Sequence, residues 1–548
     1  MGHRCNARTC NGRSRRVSGT AHRVGARLRV CLVTTLTIAI AGCMVGPTYR
    51  RPAAPVAAAW RDPGAEGIGT NASAAPEWWH VFGDATLDDL VARAYRQNLT
   101  LQAAGLRVVE VQALRGVAIG SLYPQTQEVT ASLIRTRNSL ATGIPAIPRY
   151  QTSYQVGFDA AWEFDVWGRF RRGIEASDAQ LLAAVADYDD VLVSLVAEVA
   201  SNYVQLRVLE ARLALARDNV RVQRDSLGIA RVRFEAGGTS DLDVEQATAL
   251  LRDTEATIPQ LETQLRQSGD ALAVLLGTAP SDSPQLAGEA GAIPVAPAAV
   301  AVGIPADLLR RRPDVRRAER QLAAQSARIG VAAGDLFPQL TLTGSVGLSA
   351  DTVAHLSTGS ALTDFGGPRL VWPVLNYGRL INEVHVQDAT FQELVATYGD
   401  TVLRAQQDVE NALVGYARGA EQVASLIDAV AAANRAVELS LVQYREGAAD
   451  YTRVLTTQQA KLHEDDSLAS ARGTVTLEVI ALYKALGGGW ELRDREDFVP
   501  DATKDEMRSR TWWGRMLNTG ARAADVDAAT PRDDGGARHR WWSWWPHW

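Results

Sequence analysis

Residues 185–234 read VADYDDVLVSLVAEVASNYVQLRVLEARLALARDNVRVQRDSLGIARVRF. Apolar side chains occupy every seventh position of this stretch: Val185, Leu192, Val199, Leu206, Leu213, Val220, Leu227 and Phe234. A seven-residue period corresponds to 3.5 residues per turn, which is typical of helices in a left-handed supercoil. Because no proline occurs between Arg169 and Phe234, the pattern predicts one uninterrupted helix, about 100 Å long at 1.5 Å per residue.

The same period occurs a second time, 210 residues further along the chain. Its apolar positions are Val395, Val402, Val409, Tyr416, Val423, Val430, Val437 and Tyr444. Glycines that follow the two runs, Gly237 and Gly447, have the same offset. We therefore predict two tandem repeats of helix, β-hairpin, long helix and helix, over 81–277 and 306–490, joined by a linker at 278–305.

Four shorter segments have a period of two instead. In the clearest one, Tyr154, Val156 and Phe158 alternate with polar or small residues, a pattern that indicates a strand with one apolar face. The four predicted strands cover about 126–138, 150–164, 339–349 and 361–373. The stronger runs have the ~9–11 residues that a tilted strand needs to cross a bilayer. No stretch after Cys43 has eighteen consecutive apolar residues, so the sequence predicts no transmembrane helix.

Strands that enter a bilayer must form a closed barrel, because lipid offers no hydrogen-bond partner to a free edge. Two hairpins supply four strands, whereas single-chain barrels begin at about eight. Three copies would supply twelve strands and leave room for a channel. The predicted fold is therefore mainly α with a membrane β-barrel. Three copies are expected to form a trimeric 12-stranded barrel and an α-helical coiled-coil tunnel. The heptads alone would also permit a coiled-coil stalk without a pore.

The N-terminus has the pattern of an export signal. Residues 1–42 contain eight arginines, no acidic residue and an apolar run near their end, as signal peptides do. Ile40-Ala41-Gly42-Cys43 resembles a bacterial lipoprotein box, which implies cleavage before Cys43 and lipidation of its thiol. The alternative is a plain secretory signal with a chance cysteine. Residues 43–80 are rich in Pro, Ala and Gly at their start, and we predict a lipidated N-terminal tether there.

Charge and motif content exclude several functions. Beyond residue 42 the chain carries 49 basic and 62 acidic side chains, so nucleic acid is not expected as a partner. The histidines have no metal-ligand spacing, and neither a phosphate-binding loop nor a Gly-x-Ser-x-Gly elbow occurs. We expect no enzyme activity, no cofactor and no metal. The charged, Trp-rich tail at 491–548 is predicted to be disordered, with interfacial anchoring by its tryptophans as the alternative.

Several motifs together resemble the outer-membrane factors of tripartite efflux systems, in the NodT-like lipoprotein branch of the TolC/OprM family. The motifs are Cys43-Met44-Val45-Gly46-Pro47, Tyr49, Arg51-Pro52, Trp78-Trp79, Phe82, Asp84, Arg311-Arg312-Pro313-Asp314-Val315, Phe337-Pro338 and Leu482-Tyr483-Lys484-Ala485-Leu486-Gly487-Gly488-Gly489-Trp490. The resemblance implies a homotrimer, anchored by lipid in the outer membrane, with its barrel in the membrane and its helical tunnel in the periplasm. It also implies docking onto a periplasmic adaptor and an inner-membrane proton-driven pump.

In that family the tunnel closes near the two helix-hairpin turns, which correspond here to Gly237 and Gly447. The residues expected to line this constriction are Asp241, Asp243, Asp450, Arg453 and Thr456. Relatives often have an aspartate where Thr456 stands, so the usual acidic ring is not preserved. The alternative interpretation is that Asp241 and Asp450 are helix caps.

The sequence thus predicts a passive outer-membrane channel that carries small toxic compounds. Two alternatives remain open at this stage. An exit duct for type I protein secretion would have the same architecture. A periplasmic adaptor lipoprotein without a pore would lack strand hairpins in both halves of the chain.

Overall fold

The structure is a computed structural model. It describes residues 44–57, 59–61, 68–69, 76–139, 141, 148–281, 291–297, 300–301, 311–495, 497–514 and 516–517. The chain divides into two compact units. We call the first the sheet unit (44–48, 118–175 and 326–388) and the second the helical unit (49–117, 176–325 and 389 onward).

The sheet unit contains a four-stranded antiparallel sheet. Its strands are β1 (Thr126–Arg137), β2 (Tyr150–Phe164), β3 (Gln339–Ala350) and β4 (Leu362–Val371), and they lie side by side in that order. These bounds agree with the predicted strand ranges to within two residues. The central pair joins the two halves of the chain, because β2 of the first half pairs with β3 of the second.

Most apolar side chains of the sheet lie on one face and are exposed. Val129 of β1, Phe158 of β2 and Val346 of β3 lie in one row across three strands. Val129 is 78% exposed and Phe158 is 44% exposed. Since exposed apolar area is costly in water, this face needs a partner or a lipid environment.

The two hairpins are fixed at their bases by equivalent contacts. The indole Nε1 of Trp162 donates to the carbonyl oxygen of Leu122 at 3.2 Å. In the second half, Nε1 of Trp372 donates to the carbonyl oxygen of Leu336 at 3.1 Å. Each accepting residue lies two positions before a proline that precedes a strand, so both tryptophans fix the chain where a hairpin begins.

The N-terminal segment of the sheet unit is held by a buried arginine. Arg172 is only 4% exposed, and its Nε and Nη2 atoms donate to the carbonyl oxygens of Val45 and Gly46, both at 3.2 Å. Gly46 has φ +97° and its backbone contacts Gly330, so a side chain would not fit. Cys43, the predicted lipidation residue, lies outside the described residues.

The helical unit is built from long helices, some of which begin in the sheet unit. The α-helices within the described residues are α1 (Ala85–Gln97), α2 (Leu99–Gly120), α3 (Arg169–Glu235), α4 (Asp241–Leu275), α5 (Pro313–Gly334), α6 (Arg379–Arg445), α7 (Tyr451–Ala485) and α8 (Asp501–Arg510). Seven of the eight heptad positions of α3 are buried, and only the last one, Phe234, is 43% exposed. The predicted continuous helix over 169–234 is therefore confirmed by α3.

The helical segment that begins after Asp84 is interrupted at Asn98, between α1 and α2. Asp84 caps α1, accepting from the N–H groups of Thr86 and Leu87 at 2.9 and 3.2 Å. Asn98 then takes an extended conformation, accepts from Leu101 N and donates to the Leu275 carbonyl. These two hydrogen bonds, one of them to α4, stabilise the chain where the helix is broken.

Part of the C-terminal tail is ordered, so the prediction of a disordered tail from 491 is wrong for this part. A 3-10 helix covers Trp490–Arg495, and α8 follows. Phe498, Val499 and Met507 are buried in the main core of the helical unit. The apolar residues in this otherwise charged segment are few, but these three are buried in the same core, whereas Trp512 is 94% exposed. Residues 518–548 lie outside the described residues.

The tether and the linker also pack against helices. A two-residue strand of the tether, Ile68–Gly69, pairs in parallel with Val300–Ala301 of the linker. The hydroxyl of Tyr416 donates to the Pro297 carbonyl at 2.9 Å. Near the start of the first repeat, Trp78 stacks on Tyr483 of α7, with ring centroids 5.3 Å apart and planes 10° apart. The core of the helical unit thus combines residues from Trp60 to Leu517.

Substitution of one helical glycine tests the docking of the tail. A Cβ atom at Gly105 in α2 would overlap the carbonyl group of Phe498. We expect Gly105→Ala to destabilise the protein by about 1–3 kcal/mol, although alanine is normally the better helix former by up to about 1 kcal/mol. Thermal unfolding and limited proteolysis of the tail measure the effect.

Gly116→Ala is the matched control, because it changes a glycine of the same helix. Its nearest neighbour would be the Met516 Cε atom at 3.5 Å, an ordinary contact. Gly116→Ala should leave stability unchanged or raise it slightly. Equal stability of the two variants, with the tail equally protected, would contradict the described docking.

Candidate functional site

The turns of the two helical hairpins have the same backbone geometry. Gly237 follows α3 and Gly447 follows α6, each with φ +74°. In each turn, the next residue donates its N–H to a carbonyl of the preceding helix: Gly238 to Arg233 and Ala448 to Gln443, both at 2.8 Å. This is the left-handed helix end that favours glycine, at both positions where the sequence predicts a turn.

The first hairpin carries two of the predicted aspartates. Asp241 and Asp243 lie in the first turn of α4, where the helix dipole stabilises negative charge. Ser240 occupies the N-cap position of this helix, without a capping hydrogen bond from its side chain, so the interpretation of Asp241 as a cap is wrong. Asp241 is exposed, and within the described residues its carboxylate has no hydrogen bond or ion pair. Asp243 is half-buried and accepts a hydrogen bond from Thr239.

The second hairpin carries the other three predicted residues within two turns. Asp450 is the cap of α7 and accepts from the N–H of Arg453 at 3.3 Å, so the cap interpretation is correct here. The guanidinium of Arg453 is exposed and donates to Gln443 of α6 at 3.2 Å. Thr456 donates to the Arg453 carbonyl at 3.0 Å. Opposite charges at positions 450 and 453 are therefore exposed at this turn.

One hydrogen bond connects the two hairpins directly at this end. The hydroxyl of Tyr444, near the end of α6, donates to Oδ2 of Asp243 at 3.1 Å. Burial raises the pKa of Tyr444, and the adjacent Asp243 carboxylate contributes to the shift. Tyr444 therefore stays protonated at neutral pH and can donate to the ionised carboxylate, a bond stronger than one between neutral groups.

Aromatic and cationic groups surround this bond. The rings of Tyr444 and Tyr451 pack edge to face with centroids 5.3 Å apart, and the Arg233 guanidinium lies 4.5 Å from the Tyr444 ring centroid. Both tyrosines are buried with apolar residues of all four hairpin helices. Sequence reasoning did not assign these residues to the site. Tyr451 follows Tyr444 by seven positions. Extension of the heptad pattern across the turn would therefore have identified Tyr451 as a residue of this site.

Two other features, metal sites and membrane-spanning helices, are absent from the described residues. No group of three or more His, Cys, Asp or Glu side chains in this part of the chain could hold a metal ion. Among the described helices, none has an apolar window long enough to cross a membrane. The site can present charge, and it can hold or release the ends of two helical hairpins.

The chain is similar to a known family over most of its length. The family model described as "Outer membrane efflux protein" matches residues 90–278 and 304–488. Nodulation protein T of Rhizobium leguminosarum bv. viciae is 32% identical over 457 residues, which cover 83% of this chain and 92% of that protein. The toluene efflux pump outer membrane protein TtgF of Pseudomonas putida is 31% identical over 472 residues, 84% and 97% of the two chains.

Solved structures have the same fold. The outer-membrane channel OprN has a TM-score of 0.77 at 32% identity, covering 82% of this chain and 100% of its own. The open state of the Neisseria gonorrhoeae outer membrane channel MtrE has a TM-score of 0.69 at 25% identity, covering 82% and 99%.

Removal of the Tyr444 hydroxyl tests the link between the hairpins. Tyr444→Phe deletes the bond to Asp243, and we expect a local loss of about 1.5–3 kcal/mol, the range for hydrogen bonds to charged groups. Amide hydrogen exchange in the first turn of α4 should become faster. Tyr451→Phe is the control, because within the described residues the hydroxyl of Tyr451 has no hydrogen bond. Similar exchange in the two variants would show that the bond does not hold the hairpins together.

Proposed function

Because the chain belongs to the outer membrane efflux protein family, we propose that it is the passive exit duct of a tripartite efflux system for small toxic compounds. Relatives in Pseudomonas putida are named for the efflux of toluene and solvents and for the export of pyoverdine. All of these are small molecules, which favours efflux over type I protein secretion. A periplasmic adaptor would not need the four-stranded sheet.

The observation that carries the proposal is the open sheet with an exposed apolar face. In the described chain, β1 and β4 each pair on one side only. Within lipid, every unpaired backbone group costs several kcal/mol, so these two edges need partners. Edge pairing with further copies provides those partners, and it turns the apolar face toward the lipid.

Three copies provide the best closed arrangement. Each copy contributes four strands, and three copies form a twelve-stranded barrel with space for a channel. Two copies would form an eight-stranded barrel that its own side chains fill. In this arrangement the two halves of each chain act as tandem repeats, each supplying one hairpin to the barrel and one pair of long helices to a tunnel.

The second long helix supports association of several copies. The heptad residues of α3 are largely buried within one copy, but Val423 and Val430 of α6 are only partly buried. Leu403, Val414 and Leu439 of the same helix are exposed. Packing of these residues against a neighbouring copy would build the wall of a coiled-coil tunnel in the periplasm.

The ends of the hairpins form the gate of the proposed tunnel. Asp241, Asp243, Asp450, Arg453 and Thr456 line it, and the Tyr444–Asp243 bond holds it closed. The duct itself uses no cofactor and catalyses no reaction. A proton-driven pump in the inner membrane supplies the energy, and a periplasmic adaptor connects the two proteins.

We further propose that a lipid on Cys43 anchors the chain in the outer membrane. Arg172 holds the carbonyl oxygens of Val45 and Gly46, only two and three residues after the cysteine. The lipid would therefore be kept beside the base of the sheet.

Disulfide cross-linking tests barrel closure. Within one copy, β1 and β4 are three strand spacings apart, about 14 Å, whereas a disulfide needs Cα atoms within about 7 Å. Thr130→Cys combined with Thr363→Cys, and pairs shifted by two residues along either strand, should therefore cross-link only between copies. Oxidation in membranes should produce covalent dimers and trimers on a denaturing gel.

Asp159→Cys with Ser345→Cys is the control, because these residues lie opposite each other on β2 and β3 of one chain. This pair should close within the monomer and leave the apparent mass unchanged. If it closes while every β1–β4 pair stays monomeric, a barrel formed by edge pairing is excluded.

Removal of one charge tests the gate. Arg453→Ala removes an exposed cation from the lining and leaves Arg233, which packs on Tyr444, as a cation beside Asp243. The reversal potential of single channels in a KCl gradient should therefore shift toward cation selectivity. Arg96→Ala, which removes an exposed arginine of α1, should leave the potential unchanged. An unaltered reversal potential and conductance for Arg453→Ala would remove this residue from the channel lining.

A further inference from the structure

Three arginines surround one tyrosine at the end of the β1–β2 hairpin. The guanidinium carbons of Arg135 and Arg137 each lie 5.8 Å from the ring centroid of Tyr150, and that of Arg149 lies 5.6 Å from it. We call these four residues the arginine cluster. All four side chains are exposed.

Backbone pairing fixes the position of the cluster. Arg137 and Tyr150 lie directly opposite each other on β1 and β2. Beyond them, Asn138 N donates to the Arg149 carbonyl at 2.8 Å, and the Asn138 side chain donates to the Pro148 carbonyl at 2.9 Å. The three cations therefore meet at a regular hairpin end.

Within the described residues, the arginine cluster has no carboxylate counter-ion. No Asp or Glu occurs in residues 129–158, which include both flanking strand segments and the connection between them. Within the described chain, none of the three arginines forms an ion pair with a carboxylate. Three like charges around one ring repel one another, and the attraction of each to the ring is small at an exposed site. An anionic ligand would remove this repulsion.

An apolar surface continues from the cluster along the same face of the sheet. Leu133 lies two residues before Arg135 and opposite Tyr154, and it is 63% exposed. Ala131 pairs with Val156 and Val129 with Phe158 in the next rows. A cationic end above an apolar stripe matches an amphiphile with an anionic head group and acyl chains, rather than a free anion.

The position of the arginine cluster within the hairpin indicates the membrane leaflet at which it lies. The helices join the sheet at the opposite ends of these strands, because α2 ends before β1 begins and α3 begins after β2 ends. This step rests on the proposed function, in which the helices extend into the periplasm. The hairpin end then lies at the outer leaflet, where the anionic amphiphile is phosphorylated lipopolysaccharide.

We propose that the arginine cluster binds the phosphate groups of an outer-leaflet lipopolysaccharide, whose acyl chains lie along the adjacent apolar face of β1 and β2. Guanidinium groups bind phosphate through two parallel hydrogen bonds, and basic clusters beside a membrane-spanning segment commonly recognise anionic lipids.

Lipid binding by the purified full-length protein in detergent tests the proposal. The probe is bisphosphorylated lipid A, and native mass spectrometry measures the bound fraction during titration. Replacement of all three arginines (Arg135→Gln, Arg137→Gln and Arg149→Gln) should weaken binding roughly 100-fold, because each basic group near an anionic lipid contributes a several-fold factor. Arg369→Gln is the control, because it removes one arginine from the opposite face of the sheet and should bind like the wild type.

Two further arms identify the ligand chemistry. Dephosphorylated lipid A should bind the wild type about as weakly as lipid A binds the triple variant. Inorganic phosphate at millimolar concentration should not displace lipid A, and displacement would show a free-anion site and overturn the proposal. Lipid A affinity that is equal in the triple variant and the wild type would also overturn it.

Trimer stability and conductance separate this proposal from the proposed function. A triple variant that binds lipid A normally but falls apart as a trimer would place the arginines in contacts between copies, and the lipid site would be rejected. A triple variant that forms conducting channels and still binds lipid A would reject the lipid site and leave the duct intact. A wild-type protein that forms no trimer and no channel would reject the duct itself.

Discussion

The backbone hydrogen-bonding groups along the outer edges of β1 and β4 impose the constraint on which the rest of the structure depends. Four strands are too few to close a barrel, and an open edge is not tolerated in lipid. Within the part of the chain that the structure describes, a single copy has an exposed apolar sheet face and two strands that pair on one side only. In the proposed trimer, association between copies would remove both problems, because the same arrangement pairs the edges and turns the apolar face toward lipid.

The two long helices differ in how much of their apolar surface is buried within one copy. The heptad of α3 is buried within the chain at all positions but the last, whereas α6 has the same period and several exposed apolar residues. The two helices thus share a design but have different neighbours. At the hairpin ends the difference is reversed, since Tyr444 of α6 is buried and Phe234, its counterpart in α3, is exposed. The aromatic group that organises this end therefore comes from the second half of the chain.

Periodicity predicted the strands, the long helices and the glycine turns, because these depend on residues close together in sequence. Contacts between distant residues were not accessible in this way. Asn98 breaks a helical pattern because the Leu275 carbonyl accepts from its side chain, and Asp243 meets Tyr444 across 201 positions. The tail has a disordered composition, yet Phe498 packs where Gly105 leaves space for its backbone. No local pattern marks any of these pairs.

Stacking of Trp78 on Tyr483 has a consequence for biogenesis. A chain that is synthesised from its N-terminus presents the first ring long before the second one exists. The core to which both belong extends from Trp60 to Leu517, so the early helices keep their apolar faces uncovered until nearly the whole polypeptide has arrived. Such late closure makes the nascent protein dependent on holding chaperones. It also makes any prematurely terminated product a ready substrate for proteolysis.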